Sequence, residues 1–190
     1  QLILATDPPN LGIDDRGRAA VDLLNQALAL HPKSGTLWRY LAEAYAKVPD
    51  HREAVVAALQ AISLDPQDAR AHFVAGQQLR ILGKSDEAEP HLEAAATLGM
   101  GAGRDRYLSH YYLYLLRQEQ GRTDAAAQAL EAWSVAEPEE RSPHQLRARL
   151  LWDARRYDEG FAAAVQTLRR APDDRDTREI VAEYHQYDPL

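Results

Sequence analysis

Residues 37–45 read LWRYLAEAY. Trp38, Leu41, Ala42 and Tyr45 fall at i, i+3, i+4 and i+7, a single stripe along an α-helix. The question this raises is what the stripe packs against. Just beyond it, Pro49 marks the end of the helix. Asp50 stands where it can cap a second helix, with Glu53 three residues later as a capping box. The segment "SLDPQD" closes that second helix, because Pro66 cannot continue it. Residues 35–68 are therefore expected to be two helices joined by a tight turn.

The same unit recurs along the chain. Ala20, Ala54 and Ala88 are 34 residues apart; after four inserted residues the series resumes at Ala126 and then, 34 further on, at Gly160. Pro32, Pro66, Met100, Pro138 and Pro172 take the same steps. Ala27, Ala61 and Ala95 form a third series, which holds until Trp133 and Thr167 take the place. Three series with one period and one shared insertion define a repeat protein. Gly83 and Gly121 fall at the turns between helices, where a residue able to reach positive φ is favoured. No segment alternates apolar and polar residues, so no sheet is expected. Pro90 lies several residues into a helix that should begin at Ser85, which predicts a kink or a late start.

These residues resemble the tetratricopeptide repeat, a 34-residue helix–turn–helix with the pattern W-x2-L-G-x2-Y, then Ala, then a closing Pro. Trp38, Leu41, Tyr45, Ala54, Ala61 and Pro66 match it, with Ala42 in place of the Gly. The next unit, 69–102, keeps Gly76, Gly83, Ala88 and Ala95; units 107–140 and 141–174 keep Leu113, Gly121, Ala126, Pro138, Tyr157 and Pro172. The resemblance implies an all-α, right-handed superhelical solenoid of stacked helix pairs over residues 15–174. It would comprise a partial unit at 15–34 and four full ones. Pro8 to Pro32 is only 24 residues. Residues 1–14 are therefore expected to be an irregular cap or the tail of a clipped unit, in keeping with a chain that opens on Gln1. "DTREIVAEYHQY" has Asp176 and Glu179 as a capping box, so 175–190 reads as a C-terminal capping helix.

Composition narrows the function. With 22 Lys+Arg against 29 Asp+Glu the net charge is −7, a poor match to a nucleic-acid surface. No apolar run approaches the roughly 18–20 residues of a membrane span. The absence of cysteine excludes disulfides, thiolate metal sites and a Cys nucleophile, and suits a cytoplasmic or a periplasmic setting equally. "GMGAGRD" at 99–105 follows a helix rather than a strand, so it reads as a helix stop and linker and not a phosphate loop. His72, His110 and His144 occupy the place of Trp38 in successive units. Stacked helices hold such residues roughly 10 Å apart, too far for shared ligation at about 2.1 Å. No metal, cofactor or catalytic residue is expected.

In the family, the first helix of each unit lines a concave groove that holds extended or helical partner segments. Carried over by position, its lining is Thr36, Arg39, Glu43 and Lys47, then Arg70, Phe73, Gln77 and Arg80. The later units add Leu108, Tyr111, Leu115 and Glu119, then Gln145, Arg149, Trp152 and Asp153. Arg39, Arg70, Phe73, Arg80, Tyr111, Leu115, Arg149 and Trp152 are the expected partner-binding residues. Aromatic and Arg side chains of this kind dominate binding hot spots. Five bases against three acids give this groove about +2 by that count, favouring a partner with acidic and apolar residues. The helix LSHYYLYLL at 108–116 is apolar nearly all round, so it is either fully buried or covered by a partner. The family's carboxylate clamp for chaperone tails is not met, since Glu43 and Val74 replace its Asn residues and Leu108 and Tyr112 replace its bases. The expected function is a non-enzymatic protein-binding scaffold. Self-assembly into homo-oligomers through open ends, or a regulatory domain of a larger enzyme, are the alternatives.

Overall fold

The computed structural model describes residues 13–99 and 107–187. Among them ten helices and no strand are found. In order these are α1 (Ile13–Leu30), α2 (Gly35–Lys47), α3 (His51–Leu64), α4 (Ala69–Ile81), α5 (Ser85–Leu98), α6 (Leu108–Glu119), α7 (Thr123–Ala136), α8 (Ser142–Asp153), α9 (Tyr157–Arg170) and α10 (Arg175–Tyr187). Most of the expected N-terminal cap and of the glycine-rich linker lies outside the described residues. The chain divides into two compact units, the first ending at Leu98 and the second beginning at Gly99. In the first, each helix packs on the next and α2 also lies against α4. The second repeats the scheme from α6 to α10, with α8 against α10. Thus α2 touches its own second helix and the following first helix, as does α8, in the manner of stacked repeats, whereas α6 packs on α7 but not on α8.

Small side chains make this stacking close. Ala54, Ala58 and Ala61 on α3, and Ala88 and Ala95 on α5, are fully or almost fully buried where the first helix crosses. At Gly76 a Cβ would come within 2.6 Å of Leu92 Cγ and 3.1 Å of the Ala88 carbonyl oxygen, so the α4–α5 crossing leaves no room for one. Leu41 and Ala42 of the opening stripe are buried, and Trp38 and Tyr45 are half-buried beside them. Such apolar burial contributes about 25 cal/mol per Å2.

The helix ends show where local pattern is followed and where it is not. Ser34 and Asp68 accept from the backbone N–H of Leu37 and Ala71 at 3.3 and 2.9 Å, capping α2 and α4. Asp50 occupies the N-cap of α3, but its side chain makes no capping bond. At α10 the cap is Asp174, accepting from the Thr177 N–H at 2.8 Å. The expected Glu179 instead pairs with Arg175 at 3.1 Å. Pro90 does not delay α5, which begins at Ser85 with the proline inside it; the cost is one missing i→i−4 hydrogen bond. Gly83 and Gly121 turn at φ +74° and +71°, and Arg155 adopts φ +61° at the equivalent place in the next repeat.

The histidines take packing roles. Trp38 Nε1 donates to the Pro32 carbonyl at 2.9 Å, and one repeat later His72 Nε2 lies 3.2 Å from the Pro66 carbonyl. With that nitrogen as the donor, His72 Nδ1 accepts from His91 Nδ1, 3.1 Å away. Burial, reinforced by His72, lowers the His91 pKa below its ordinary 6.5; burial also lowers those of His110 and His144. Among the described residues no three His, Asp or Glu side chains form a metal-binding group.

Two tests follow from the packing. Arg155→Gly removes left-handed strain and should raise stability by about 1 kcal/mol, while Gly76→Ala should lower it by about 1–3 kcal/mol. Urea melts of both variants check the signs. The histidines give a third test. The fold favours the neutral rings, so their contribution is complete above the unfolded pKa and is lost as pH falls through it. The melting temperature should therefore decline from about pH 7 to pH 5, and His91→Gln should flatten that decline.

Candidate functional site

In the first unit the expected groove residues form an ion-pair chain between α2 and α4. Arg39 pairs with Asp68 at 3.0 Å and with Glu43 at 3.2 Å, and Arg70 pairs with the same Glu43 carboxylate at 3.2 Å. The guanidinium of Arg39 also lies 4.4 Å from the centre of the Tyr40 ring. The charges expected to attract a partner therefore hold two neighbouring first helices together. Arg80 is half-buried near the end of α4. Phe73, expected as an anchor, is only 5 % exposed and forms part of the wall of a shallow depression with Lys47, Gln77 and Ile81.

The second unit contains a larger concavity of about 840 Å3. Tyr107 and the α6 residues Leu108 and Tyr111 form one wall; Gln145, Leu146 and Arg149 of α8, with Thr177 and Ile180 of α10, form the other. Trp133 of α7 lies at its base. Tyr107 stacks on Trp133 with ring centres 5.0 Å apart and planes at 8°, and Tyr111 meets the same indole edge-on at 6.0 Å. In the first repeat the corresponding pair is Gly35 and Ala61, where a Cβ on Gly35 would lie 3.6 Å from the Ala61 carbonyl oxygen. A small–small contact has become an aromatic stack, and side-chain bulk now separates what close backbone contact joins in the first repeat. Trp133 is 2 % exposed and its Nε1–H has no hydrogen-bond acceptor.

Much of the polar rim of the cavity is already engaged, while Asp176 also lines it. Glu140 accepts from the Ser142 hydroxyl at 2.7 Å and from the backbone N–H groups of Ser142 and Arg141, each at 3.1 Å. The Ser142 bonds hold its carboxyl below the usual range. Gln145 donates to Asp174, the cap of α10. Arg149 pairs with Asp153 at 3.1 Å, yet its side chain remains 60 % exposed, so it is the rim cation facing water.

Of the expected site residues, Tyr111 and Arg149 line this cavity, and Leu115 is half-buried further along α6. Trp152 does not line it. It is 8 % exposed, packed with Leu151, Ala164 and Ile180 in the core and edge-on to Tyr157 at 4.9 Å. Position within the repeat does not point to Tyr107, Trp133, Leu146 and Ile180. The break in the Ala27–Ala61–Ala95 series at Trp133 is the sequence signal for this change.

Stacked helix pairs with an open cavity on the first-helix face define a repeat scaffold of the protein-interaction kind. The tetratricopeptide-repeat family model matches residues 15–68 and 50–104, so this part of the chain is built of tetratricopeptide repeats. Solved structures share its fold. One is MamA, with TM-score 0.70 and 19 % identity over 83 % of this chain and 87 % of that one. Another is YrrB, a tetratricopeptide-repeat protein with an unusual peptide-binding site, with TM-score 0.68 and 17 % identity over 88 % and 84 %. A third is a thermophilic tetratricopeptide-repeat protein of Thermus thermophilus, with TM-score 0.56 and 21 % identity over 90 % and 91 %. A comparison with curated proteins gives no match. Among the described residues no helix is long and apolar enough to cross a membrane.

Proposed function

We propose that the chain binds a segment of another protein in the cavity between α6, α8 and α10. The observation that carries this reading is an open, aromatic-walled space of about 840 Å3, within the size range of ligand sites. Tyr111 offers a half-exposed ring over a fixed Tyr107–Trp133 stack, a surface pre-organised for an apolar side chain. Glu140 is held at the start of α8 and Gln145 donates to Asp174, the cap of α10, so both side chains help to fix the helix ends around the cavity. YrrB, with its peptide-binding site, lends support by fold alone.

Arg149 gives the partner a polar preference. Its exposed charge on the rim of an acidic protein favours an acidic residue beside the apolar anchor, acting mainly on the rate of encounter. Arg39 and Arg70 are compensated by Asp68 and Glu43, so they contribute less to this preference than a count of groove charges suggests.

The test is surface-bound kinetics against a protein recovered by affinity capture, with melts on the same samples. Tyr111→Ala should weaken binding by about 2 kcal/mol or more, chiefly through faster dissociation. Arg149→Ala should slow association modestly and flatten its salt dependence. Normal binding by a Tyr111→Ala variant that melts early would make Tyr111 a core residue and sink the proposal.

A further inference from the structure

The repeat spanning residues 69–102 sets two imidazoles face to face between α4 and α5. His72 and His91 bring their Nδ1 atoms to 3.1 Å, with ring centres 5.3 Å apart and planes inclined at 41°. The rings therefore meet through their nitrogens and do not stack. Packing does not call for this pair. In the other three complete repeats the place of His91 is taken by Ala57, Ala129 and Ala163, all buried. A methyl group suffices there.

The two rings are arranged as metal ligands are. His72 Nε2–H donates to the Pro66 carbonyl at 3.2 Å, which fixes the tautomer and leaves a lone pair on Nδ1. A backbone carbonyl behind the far ring nitrogen is the usual support of a ligating histidine. His91 turns its own Nδ1 to the same point, and burial favours its neutral ring. An ion about 2.05 Å from each of these nitrogens would see them at an angle of about 98°, within the range of tetrahedral or octahedral coordination. A modest swing of the rings aims both lone pairs at that ion. The proton that His91 Nδ1 donates to His72 passes to Nε2 of His91, so both rings stay neutral. Both side chains are half-buried, held by their helices yet reachable from water.

The protein supplies two ligands and not three. Glu87 lies one turn before His91 on α5, but its carboxylate is 59 % exposed and pairs with Lys84 at 2.9 Å. Among the described residues no third His, Asp or Glu completes a metal-binding group. Equivalent histidines of successive repeats are kept apart by stacking; His72 and His91 escape that limit because they face each other inside one repeat.

We propose that His72 and His91 form a two-histidine site for a divalent late transition-metal ion, with water in the remaining positions. The donors select the ion class. Imidazole nitrogen suits zinc, copper and nickel, whereas magnesium and calcium require oxygen ligands. A bound ion ties α4 to α5, adding a link to the close contact at Gly76. The site lies wholly within the first unit and is independent of the cavity lined by Tyr111.

The probe is zinc chloride, titrated calorimetrically into the tag-free 190-residue chain after treatment with EDTA. One ion per chain is expected, and the melting temperature should rise with zinc but not with magnesium. Affinity should fall by about tenfold or more, at least the cost of losing a second-shell partner, in His91→Ala and in His72→Gln. His91→Ala installs the residue that other repeats carry, so it should fold, and circular dichroism verifies this. His31→Gln, at an exposed histidine, should bind as the parent does. Ring 15N signals should shift on zinc addition at Nδ1 of His72 and His91. The proposal is overturned if zinc fails to bind saturably, or binds a folded His91→Ala chain as it binds the parent. Ring shifts at other histidines in place of these two would overturn it equally.

Discussion

The close crossing of a first helix over a second, at positions too small to hold the backbones apart, is the contact on which each unit depends. Ala54, Ala58 and Ala61 provide it in one pair; Gly76 against Leu92 and Ala88 provides it in the next, where even a methyl group has no room. Each crossing buries one stripe of each helix and leaves another, and the next pair covers that remainder. A helix pair of this kind has no stable form alone, so order propagates from neighbour to neighbour. The half-exposed stripe on α1 is the same rule seen where no described first helix lies against a second.

Charge follows from this geometry. First helices α2 and α4 lie side by side, so residues at the same height on these two repeats meet, and Arg39, Glu43, Asp68 and Arg70 fuse into one network. The pairs are partly exposed, and each contributes modestly to stability. Their larger consequence is functional, because a guanidinium held by two carboxylates is a weak attractor for a third. Arg149, paired with the exposed Asp153, keeps more of its field in water.

The proposed binding site lies where the repeat rule is broken. At the start of α6 the small pair that closes the crossings of the first unit gives way to Tyr107 on Trp133, and the concavity of the second unit stands beside that stack. The greasy helix at 108–116 is explained in the same terms. Leu113, Tyr114 and Leu116 are buried, while Leu108 and Tyr111 line the open space. One face of the helix belongs to the core and the other to the cavity.

The 34-residue period, the small crossing residues and the prolines that end each unit were legible in the sequence, because helix pairing is local and every repeat states it again. The family resemblance and the fold class followed from them. The caps were legible only in part: Asp50 sits at its N-cap without capping, and Asp174 rather than Asp176 caps α10, since side-chain rotamers and not residue type decide which oxygen reaches the N–H. The site was least legible. Position within the repeat placed Phe73 and Trp152 on the first-helix face, yet both are buried, while Trp133, assigned to a crossing, lies at the base of the cavity. Sequence determined which helices form and in what order they pack. Only the tertiary structure decided which aromatic rings that packing consumed and which it left facing open space, because that depends on the bulk of residues meeting from different helices.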